Sequence, residues 1–354
     1  MKILITGGAG FVGSGLALSL KEDYPTANIV TMDNLKRRGT ELNVSALTSK
    51  GVKFIHGDVR NRSDLDELEG NFDFLIEASA EPSVHAGVNG SPEYLLQTNL
   101  MGTLNCLEFA RRRVHGFIFL STSRAYSMRP LRLINLVETA SRFKIAEVQN
   151  TSGITPSGIS EDFPTHLPRS LYGATKLASE LIIQEYVDTY GLRALINRCG
   201  VIAGPGQFGK TDQGVFTLWV AHHFFGRGLE YTGFGGTGKQ VRDLLHPLDL
   251  YDLIKTQFAE LEISNGEVFN VGGGPSTSAS LREWTSLCQE LVGNKVLLTE
   301  KPDTSSVDIP LYISDCRKAF QTFKWQPKRS LRDIVSDTLK WLKNNESTLK
   351  PLFS

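Results

Sequence analysis

The sequence lacks an excess of charge of either sign. It contains 38 Lys and Arg and 38 Asp and Glu among its 354 residues, so its formal net charge is zero. Proteins that hold nucleic acid or an anionic membrane through their overall field carry a surplus of positive charge. The balance therefore argues against nucleic acid and membrane surfaces as partners.

Cysteines are few, and long apolar runs and internal repeats are missing. The four cysteines, Cys106, Cys199, Cys288 and Cys316, are far apart and lack the close spacing of metal ligands. We therefore expect reduced packing cysteines and no metal site. No apolar run approaches the ~20 residues of a membrane-spanning helix. The first strand-like run begins at residue 2, which leaves no room for a signal peptide, so we expect a cytoplasmic protein.

The chain begins with the pattern of a strand, a glycine-rich turn and a helix. An apolar run over residues 1–6 suits a strand buried on both faces of a parallel sheet. Gly7, Gly10 and Gly13 follow, and a helical pattern comes directly after them. Glycine permits a tight turn and close approach of the backbone to a pyrophosphate, and a helix N-terminus attracts phosphate. The pattern favours a dinucleotide site over an empty turn.

Asp33 indicates which dinucleotide is bound. It lies 20 residues after Gly13 and closes the second apolar run. A carboxylate there can accept hydrogen bonds from the adenosine ribose 2′-OH and repel a 2′-phosphate, which favours NAD over NADP. The basic loop at 34–39 could contact a cofactor phosphate, clamp a 2′-phosphate or be an ordinary solvated loop. Asp33 argues against the clamp.

Strand-like runs alternate with helical patterns as far as residue 200. This alternation predicts an α/β fold with a Rossmann doubly wound parallel sheet and a smaller C-terminal substrate-binding α/β lobe. We expect an NAD-binding domain over 1–200 with a return segment at about 245–272, and a lobe over 201–244 and 273–354. Residues 128–165 are rich in Ser, Thr, Pro and Gly toward their end. We expect an irregular insertion there that serves as a lid.

Three residues could perform chemistry. Tyr172 and Lys176 are four apart and share one face of a predicted helix, and Thr122 follows a predicted central strand. A tyrosine loses its proton near pH 10, so its use as a base near neutrality requires stabilisation of the phenolate by roughly 4 kcal/mol. The ammonium of Lys176 and a cationic nicotinamide could supply this stabilisation. The alternative is that Tyr172 and Lys176 are four residues apart by chance, and the glycine motif argues against that alternative.

These motifs together resemble those of the extended short-chain dehydrogenase/reductases that act on nucleotide sugars. The resemblance rests on the glycine motif, Asn99, Thr122 four residues before Tyr126, and Tyr172-x-x-x-Lys176, and it extends over nearly the whole chain. Within this family the sequence is most similar to the CDP-paratose (CDP-tyvelose) 2-epimerases. The segments responsible are 33–39, 121–124 and 212–214.

The resemblance implies a role for each matching residue. Tyr172 would be the base, Lys176 its partner and a ligand of the nicotinamide ribose, and Thr122 a hydroxyl that orients the substrate. The substrate contacts would be Ser123, Arg124, Gln213 and Arg242, with Arg242 on the diphosphate. Asp58 could reach the adenine amino group or cap the next helix. Together, the patterns and the resemblance give these expected NAD contacts: Gly7, Gly10, Phe11, Val12, Asp33, Asn34, Arg38, Asp58, Val59, Ala78, Ser79, Ala80, Asn99, Tyr172 and Lys176.

Several positions depart from the pattern of the family. Ser123 and Arg124 stand where 4,6-dehydratases carry an Asp-Glu acid pair, so a dehydration would lack its proton donors. Val201 stands where 4-epimerases usually have an Asn that holds the diphosphate. Glu77 replaces a common His, and Ser127 replaces the usual Gly after Tyr126. A buried acid such as Glu77 needs partners.

We therefore expect an NAD-dependent epimerase of a nucleotide-diphosphate sugar. It would work by transient oxidation to a keto-sugar and re-reduction on the opposite face. The alternatives are a nucleotide-sugar 4-epimerase, a 4,6-dehydratase and, as another class, a non-catalytic NAD-binding regulator. The resemblance also implies a homodimer.

Overall fold

Seven parallel strands form the central sheet in the computed structural model, which describes residues 1–88, 90–210, 213–261 and 265–353. The strands are β1 (Lys2–Thr6), β2 (Asn28–Asp33), β3 (Lys53–His56), β4 (Phe72–Glu77), β5 (Val114–Thr122), β6 (Ala194–Cys199) and β7 (Val268–Val271). Their spatial order is β7-β6-β5-β4-β1-β2-β3. The order reverses between β1 and β4, and in doubly wound folds a ligand crevice opens at this point. The predicted sheet is therefore present.

The strands carry apolar residues on both faces, which explains why the sheet is buried between two layers of helices. Ile3 and Ile5 pack into the core on one face of the sheet, whereas Leu4 packs into the core on the other. Two layers of helices cover these faces. The helices are Phe11–Asp23, Thr40–Ser49, Arg62–Asp66, Glu93–Leu96, Gly102–Arg113, Leu171–Tyr190 and Pro247–Glu260. None of the helices in the described part of the chain has the length and apolar character that a membrane crossing requires.

A π-helical turn, Gln97–Met101, joins Glu93–Leu96 to Gly102–Arg113. Such turns insert an extra residue into a helix and are frequent at functional sites. This turn contains Thr98 and Asn99, which are both buried.

The C-terminal part of the chain forms a lobe with its own core. Its strands are Val201–Ile202, Val241–Leu245, Ser278–Ser280 and Leu311–Tyr312 in one sheet, and Leu229–Thr232 with Leu298–Lys301 in another. Its helices are Val215–Phe225, Leu281–Val292, Leu331–Asn344 and Glu346–Leu349. Helix Arg317–Phe323 instead packs against the central sheet, because Ala319 and Phe323 belong to the core of that sheet. Trp219 and Trp284 are buried in this core. The shorter 3-10 turns of the chain are Ser123–Ala125, Phe234–Gly236, Pro275–Thr277 and Lys350–Leu352.

The insertion at 128–165 differs from the irregular segment that we expected. It contains a helix, Met128–Arg132, and two hairpins, Leu136–Glu138 with Phe143–Ile145 and Ile154–Thr155 with Gly158–Ile159. The hairpins are bonded to the lobe: the Phe143 amide donates to the Lys239 carbonyl (3.0 Å), and the Ile159 amide donates to the Ile313 carbonyl (2.8 Å). Because these partners lie far along the chain, the local pattern could not reveal them.

Candidate active site

A cavity of about 420 Å³ lies at the carboxyl ends of β1, β2 and β4. Most of the predicted NAD contacts line it: Gly7, Gly10, Phe11, Val12, Asp33, Asn34, Arg38, Val59, Ala78, Ser79 and Ala80. Gly7 has a left-handed φ of 66°, and a Cβ there would lie 2.7 Å from the Ala78 carbonyl carbon. Helix Phe11–Asp23 starts with no side-chain cap on its free N–H groups, as a phosphate site requires. The glycine turn therefore fits a dinucleotide.

Asp33 fixes the glycine turn from the end of β2. Its Oδ2 accepts a hydrogen bond from the Ala9 amide (3.1 Å), and its Oδ1 accepts one from the Leu35 amide (2.8 Å). Burial raises the pKa of Asp33, and these backbone bonds oppose the rise. The carboxylate is part of the cavity wall, where a ribose hydroxyl can reach it.

Asp58 lies next to this wall and forms hydrogen bonds with two neighbouring side chains. It accepts hydrogen bonds from Asn34 Nδ2 (2.9 Å) and from the guanidinium of Arg60 (2.6 Å). Burial alone would raise its pKa, but the bonds from Arg60 and Asn34 bring the pKa to about 2. Asp58 is therefore an anion that orients Asn34, and its contact with adenine stays a prediction.

Asn99 braces the loop after β4. Its Oδ1 accepts from the Glu81 amide (2.7 Å) and its Nδ2 donates to the Glu81 carbonyl (3.0 Å). The side chain is fully buried, and its two hydrogen bonds hold Glu81, a residue of the cavity wall, in place. A direct contact between Asn99 and NAD stays a prediction.

Thr98 is a cavity residue that the sequence did not reveal. It lines the cavity, and its buried hydroxyl has no hydrogen-bond partner among the described residues. A bound ligand can satisfy such a group. The structural feature that marks Thr98 is the π-helical turn. The spacing of apolar residues in the sequence does not indicate that turn.

A segment from the lobe covers the cavity on its outer side. Gln207, Phe208, Lys210 and Gln213 line the cavity, and Arg37 Nη2 donates to the Phe208 carbonyl (3.0 Å). Gln213 was predicted as a substrate contact, and that role stays a prediction. Asp212, which belongs to the same sequence motif, lies outside the described residues.

Helix Leu171–Tyr190 brings Tyr172 to Thr122. Ser170 caps this helix, because its Oγ accepts from the Gly173 amide (3.2 Å). The Arg124 carbonyl lies so close to Gly173 that a Cβ there would not fit. The first helical turn can therefore pack on the turn after β5, which brings the Thr122 side chain close enough to Tyr172 to lower the pKa of its phenol. Burial raises the pKa of Tyr172 to about 12, and Thr122 and the positive charge of Arg124 oppose the rise.

Lys176 lies one helical turn further on and is buried. Its Nζ donates to the Leu120 carbonyl (3.0 Å) and lies 4.3 Å from the centroid of the Phe119 ring. Burial lowers the pKa of Lys176, whereas the nearby carboxylate of Glu77 raises it. Lys176 is thus a cation held close to the end of the central strand.

Glu77 ends β4 and is fully buried. Its Oε1 accepts from Thr103 Oγ1 (2.6 Å), while its Oε2 has no hydrogen-bond partner in the described part of the chain. Burial raises its pKa to about 7 in spite of the attraction of Lys176. Glu77 precedes Ala78, which lines the cofactor cavity. Glu77 and Lys176 therefore lie behind the wall of that cavity.

Two predicted substrate residues lie together on the lobe side. Arg124 Nη1 donates to the Val307 carbonyl (3.1 Å). Arg242 donates to the Val241 and Ile309 carbonyls (both 2.8 Å). Ser123, beside Arg124, is partly buried. These residues could hold an anionic or hydroxyl-bearing substrate next to Tyr172.

Comparisons with known proteins identify the family to which the chain belongs. The model of the NAD dependent epimerase/dehydratase family matches residues 3–272. The chain is 30% identical to CDP-paratose 2-epimerase of Salmonella typhi over 96% of this chain and 99% of that protein. It is 27% identical to dTDP-glucose 4,6-dehydratase of Streptomyces antibioticus, over 99% and 95% of the two chains. The crystal structure of dTDP-glucose 4,6-dehydratase from Bacillus anthracis in complex with NAD superposes with a TM-score of 0.77 at 25% identity, covering 99% of each chain. The chain therefore belongs to the NAD-dependent epimerase/dehydratase family of enzymes, and NAD is its cofactor.

Proposed function

We propose that the protein epimerises a nucleotide-diphosphate sugar at C2 of the hexose, as a CDP-paratose 2-epimerase does. The observation that carries the proposal is that Thr122 lies close enough to Tyr172 to lower the pKa of its phenol, and that Ser123 and Arg124, rather than acids, follow Thr122. An oxidation followed by re-reduction needs a hydroxyl base, whereas elimination of water needs an additional proton donor.

Each side chain has one task in this proposal. NAD, when bound, supplies the acceptor and the donor of the hydride. Tyr172 takes the proton of the sugar hydroxyl and later returns it, and Thr122 orients that hydroxyl. Burial raises the pKa of Tyr172, so the phenolate that acts as the base needs nearby positive charge. Arg124, Lys176 and the cationic nicotinamide of bound NAD would stabilise this phenolate before it takes the proton of the sugar hydroxyl.

The lobe provides the substrate side of the site in this proposal. Arg124 and Arg242, which are bonded to the Val307 and Ile309 carbonyls, would contact the substrate, and Gln213 lies in the wall of the cofactor cavity. We assign residues 201–244 and 273–354 to substrate binding. The insertion at 128–165 is then a wall anchored to the lobe. A homodimer stays a prediction that light scattering can test.

A 4,6-dehydratase is the second candidate. Relatives with that name match nearly the whole chain. The carboxylate of Glu81 is also near enough to raise the pKa of Tyr172, after the larger effect of burial. Glu81 could serve as an acid that the sequence pattern does not place there.

Product analysis separates these candidates. A nucleotide sugar deuterated at C2 should yield a C2 epimer that keeps its deuterium at C2 in ordinary water, with no net use of NAD. Proton NMR and mass spectrometry of the product give the answer. A 4-keto-6-deoxy product would show a dehydratase, and inversion at C4 with C2 unchanged would show a 4-epimerase.

A further inference from the structure

In the described part of the chain, Asp33 and Glu81 are the carboxylate residues in the wall of the cofactor cavity. Asp33 ends β2, whereas Glu81 lies in the loop after β4. The glycine turn after β1 lies between them, because β1 is placed between β2 and β4 in the sheet. Asp33 fits the adenosine ribose, and the glycine turn fits the pyrophosphate. The part of the cavity that is left for the nicotinamide is therefore the part at Glu81.

Hydrogen bonds connect Glu81 to the helical turn that carries Tyr172. Asn99 accepts from the Glu81 amide (2.7 Å) and donates from Nδ2 to the Glu81 carbonyl (3.0 Å). The same Nδ2 donates to Thr175 Oγ1 (3.4 Å), and Thr175 Oγ1 donates to the Tyr172 carbonyl (2.8 Å). These bonds hold Glu81 and the predicted base Tyr172 at the same end of the site.

No ion pair in the described part of the chain neutralises the Glu81 carboxylate. The side chain is partly exposed, and its Oε1 accepts a hydrogen bond from the Ser83 amide (3.2 Å). Its charge reaches Tyr172, where it raises the pKa of the phenol. A negative charge at this place therefore works against a phenolate base. What it favours is a positive charge in the cavity.

The two redox forms of the cofactor differ by such a charge. The nicotinamide ring is a cation in NAD⁺ and neutral in NADH, whereas the phosphates and the adenosine are the same in both forms. The described cations of the cavity wall lie on the adenosine side, at residues 36–38 and on the lobe segment that Arg37 binds. Lys176 lies behind the wall, where the charge of Glu77 opposes its own. Glu81 can therefore distinguish the two forms.

We propose that Glu81 makes the site prefer NAD⁺ to NADH, because its carboxylate attracts the cationic nicotinamide and has no such attraction for the neutral one. The inference concerns the cofactor and not the reacting carbon of the sugar. It therefore goes beyond the proposed function and can be tested separately from it.

The test measures which form of the cofactor the enzyme retains. The NAD-loaded enzyme is dialysed against an equimolar mixture of NAD⁺ and NADH until exchange is complete. The bound cofactor is then released by denaturation and separated by chromatography, so that the ratio of bound NAD⁺ to bound NADH gives the ratio of the two affinities. Glu81→Gln keeps an acceptor for the Ser83 amide and removes the charge. It should lower this ratio by about tenfold, as one partly exposed charge can do.

Three further variants separate the charge of Glu81 from its other contacts. Glu81→Leu also removes the bond from Ser83 and should lower the ratio as Glu81→Gln does. Glu81→Asp keeps the charge and should keep a ratio above that of Glu81→Gln. Asp33→Asn is the matched control, because it removes the carboxylate at the adenosine end. It should weaken both forms alike and leave the ratio within about twofold of wild type.

The melting temperature shows whether each variant is folded, and either Glu81→Gln or Glu81→Leu suffices for the comparison. The inference is overturned if the folded variant keeps the ratio within about twofold of wild type. It is also overturned if Asp33→Asn lowers the ratio as much as the loss of the Glu81 charge does. Inversion at C4 or loss of water, in an enzyme that shows the expected ratios, would refute the proposed function and leave the role of Glu81 standing.

Discussion

Replacing Glu77 with Gln should stabilise the protein at neutral and alkaline pH. Glu77 is fully buried, has one hydrogen bond from Thr103, and has an Oε2 that no described residue satisfies. Gln has nearly the same shape and can still accept the bond from Thr103. The substitution therefore removes a buried charge and little packing.

The pKa of Glu77 gives the size and the sign of the effect. Burial raises that pKa from the usual 4.5 to about 7. Between these pH values the folded protein binds more protons than the unfolded chain, so its stability falls as pH rises. The rise in pKa corresponds to about 3 kcal/mol of unfolding free energy. Relative to wild type, Glu77→Gln should gain about 3 kcal/mol at pH 8 and about 1 kcal/mol at pH 5.

Urea unfolding of the NAD-loaded enzyme at pH 5 and pH 8 measures this difference. Glu180→Gln is the matched control, because Glu180 is equally buried but forms an ion pair with Arg198 (2.6 Å). The control should lose stability at both pH values, since breaking a buried pair costs about 3–5 kcal/mol. If Glu77→Gln instead lost more than about 1 kcal/mol at pH 8, attraction to Lys176 would outweigh the cost of burial, contrary to our reasoning.

Three other substitutions test the site. Tyr172→Phe should keep the fold and the cofactor but lose about 10²–10⁴-fold in turnover; a rate above about a tenth of wild type would mean that another residue is the base. Asp33→Ala should weaken NAD binding and narrow the preference for NAD over NADP, as calorimetry can measure, and release of mainly NADP(H) from denatured wild type would contradict our interpretation of Asp33. Thr98→Val should weaken NAD binding by about 1 kcal/mol, since it removes one hydrogen bond to the ligand; unchanged affinity would show that the hydroxyl does not face NAD.

The parts of the structure that could be predicted are those determined by residues close together in the sequence. Each central strand is apolar on both faces, so its run of residues is visible without knowledge of its neighbours. The glycine turn needs glycine at Gly7 because the backbone has a left-handed φ of 66° there. Tyr172 and Lys176 are related by one turn of a single helix. In all these cases the cause lies within a few residues.

Features that depend on distant partners could not be predicted. The π-helical turn buries the side chain of Asn99, and the hydrogen bond that the buried amide oxygen accepts comes from Glu81, 18 residues earlier. Arg124 and Arg242 were each predicted to be substrate residues, but the segment to which both are bonded lies at Val307 and Ile309. Neither the spacing nor the composition of the sequence indicates that these segments meet.

The insertion also determines the order in which the enzyme can mature during synthesis. It lies in the chain between Thr122 and Tyr172, yet its hairpins are bonded to residues that the ribosome makes much later, including Lys239 and Ile313. Contacts of such long sequence separation form late in folding. A nascent chain that has already completed its glycine turn therefore still lacks the lobe residues that anchor the insertion between Thr122 and Tyr172. We expect the growing chain to become reactive only when the lobe has emerged.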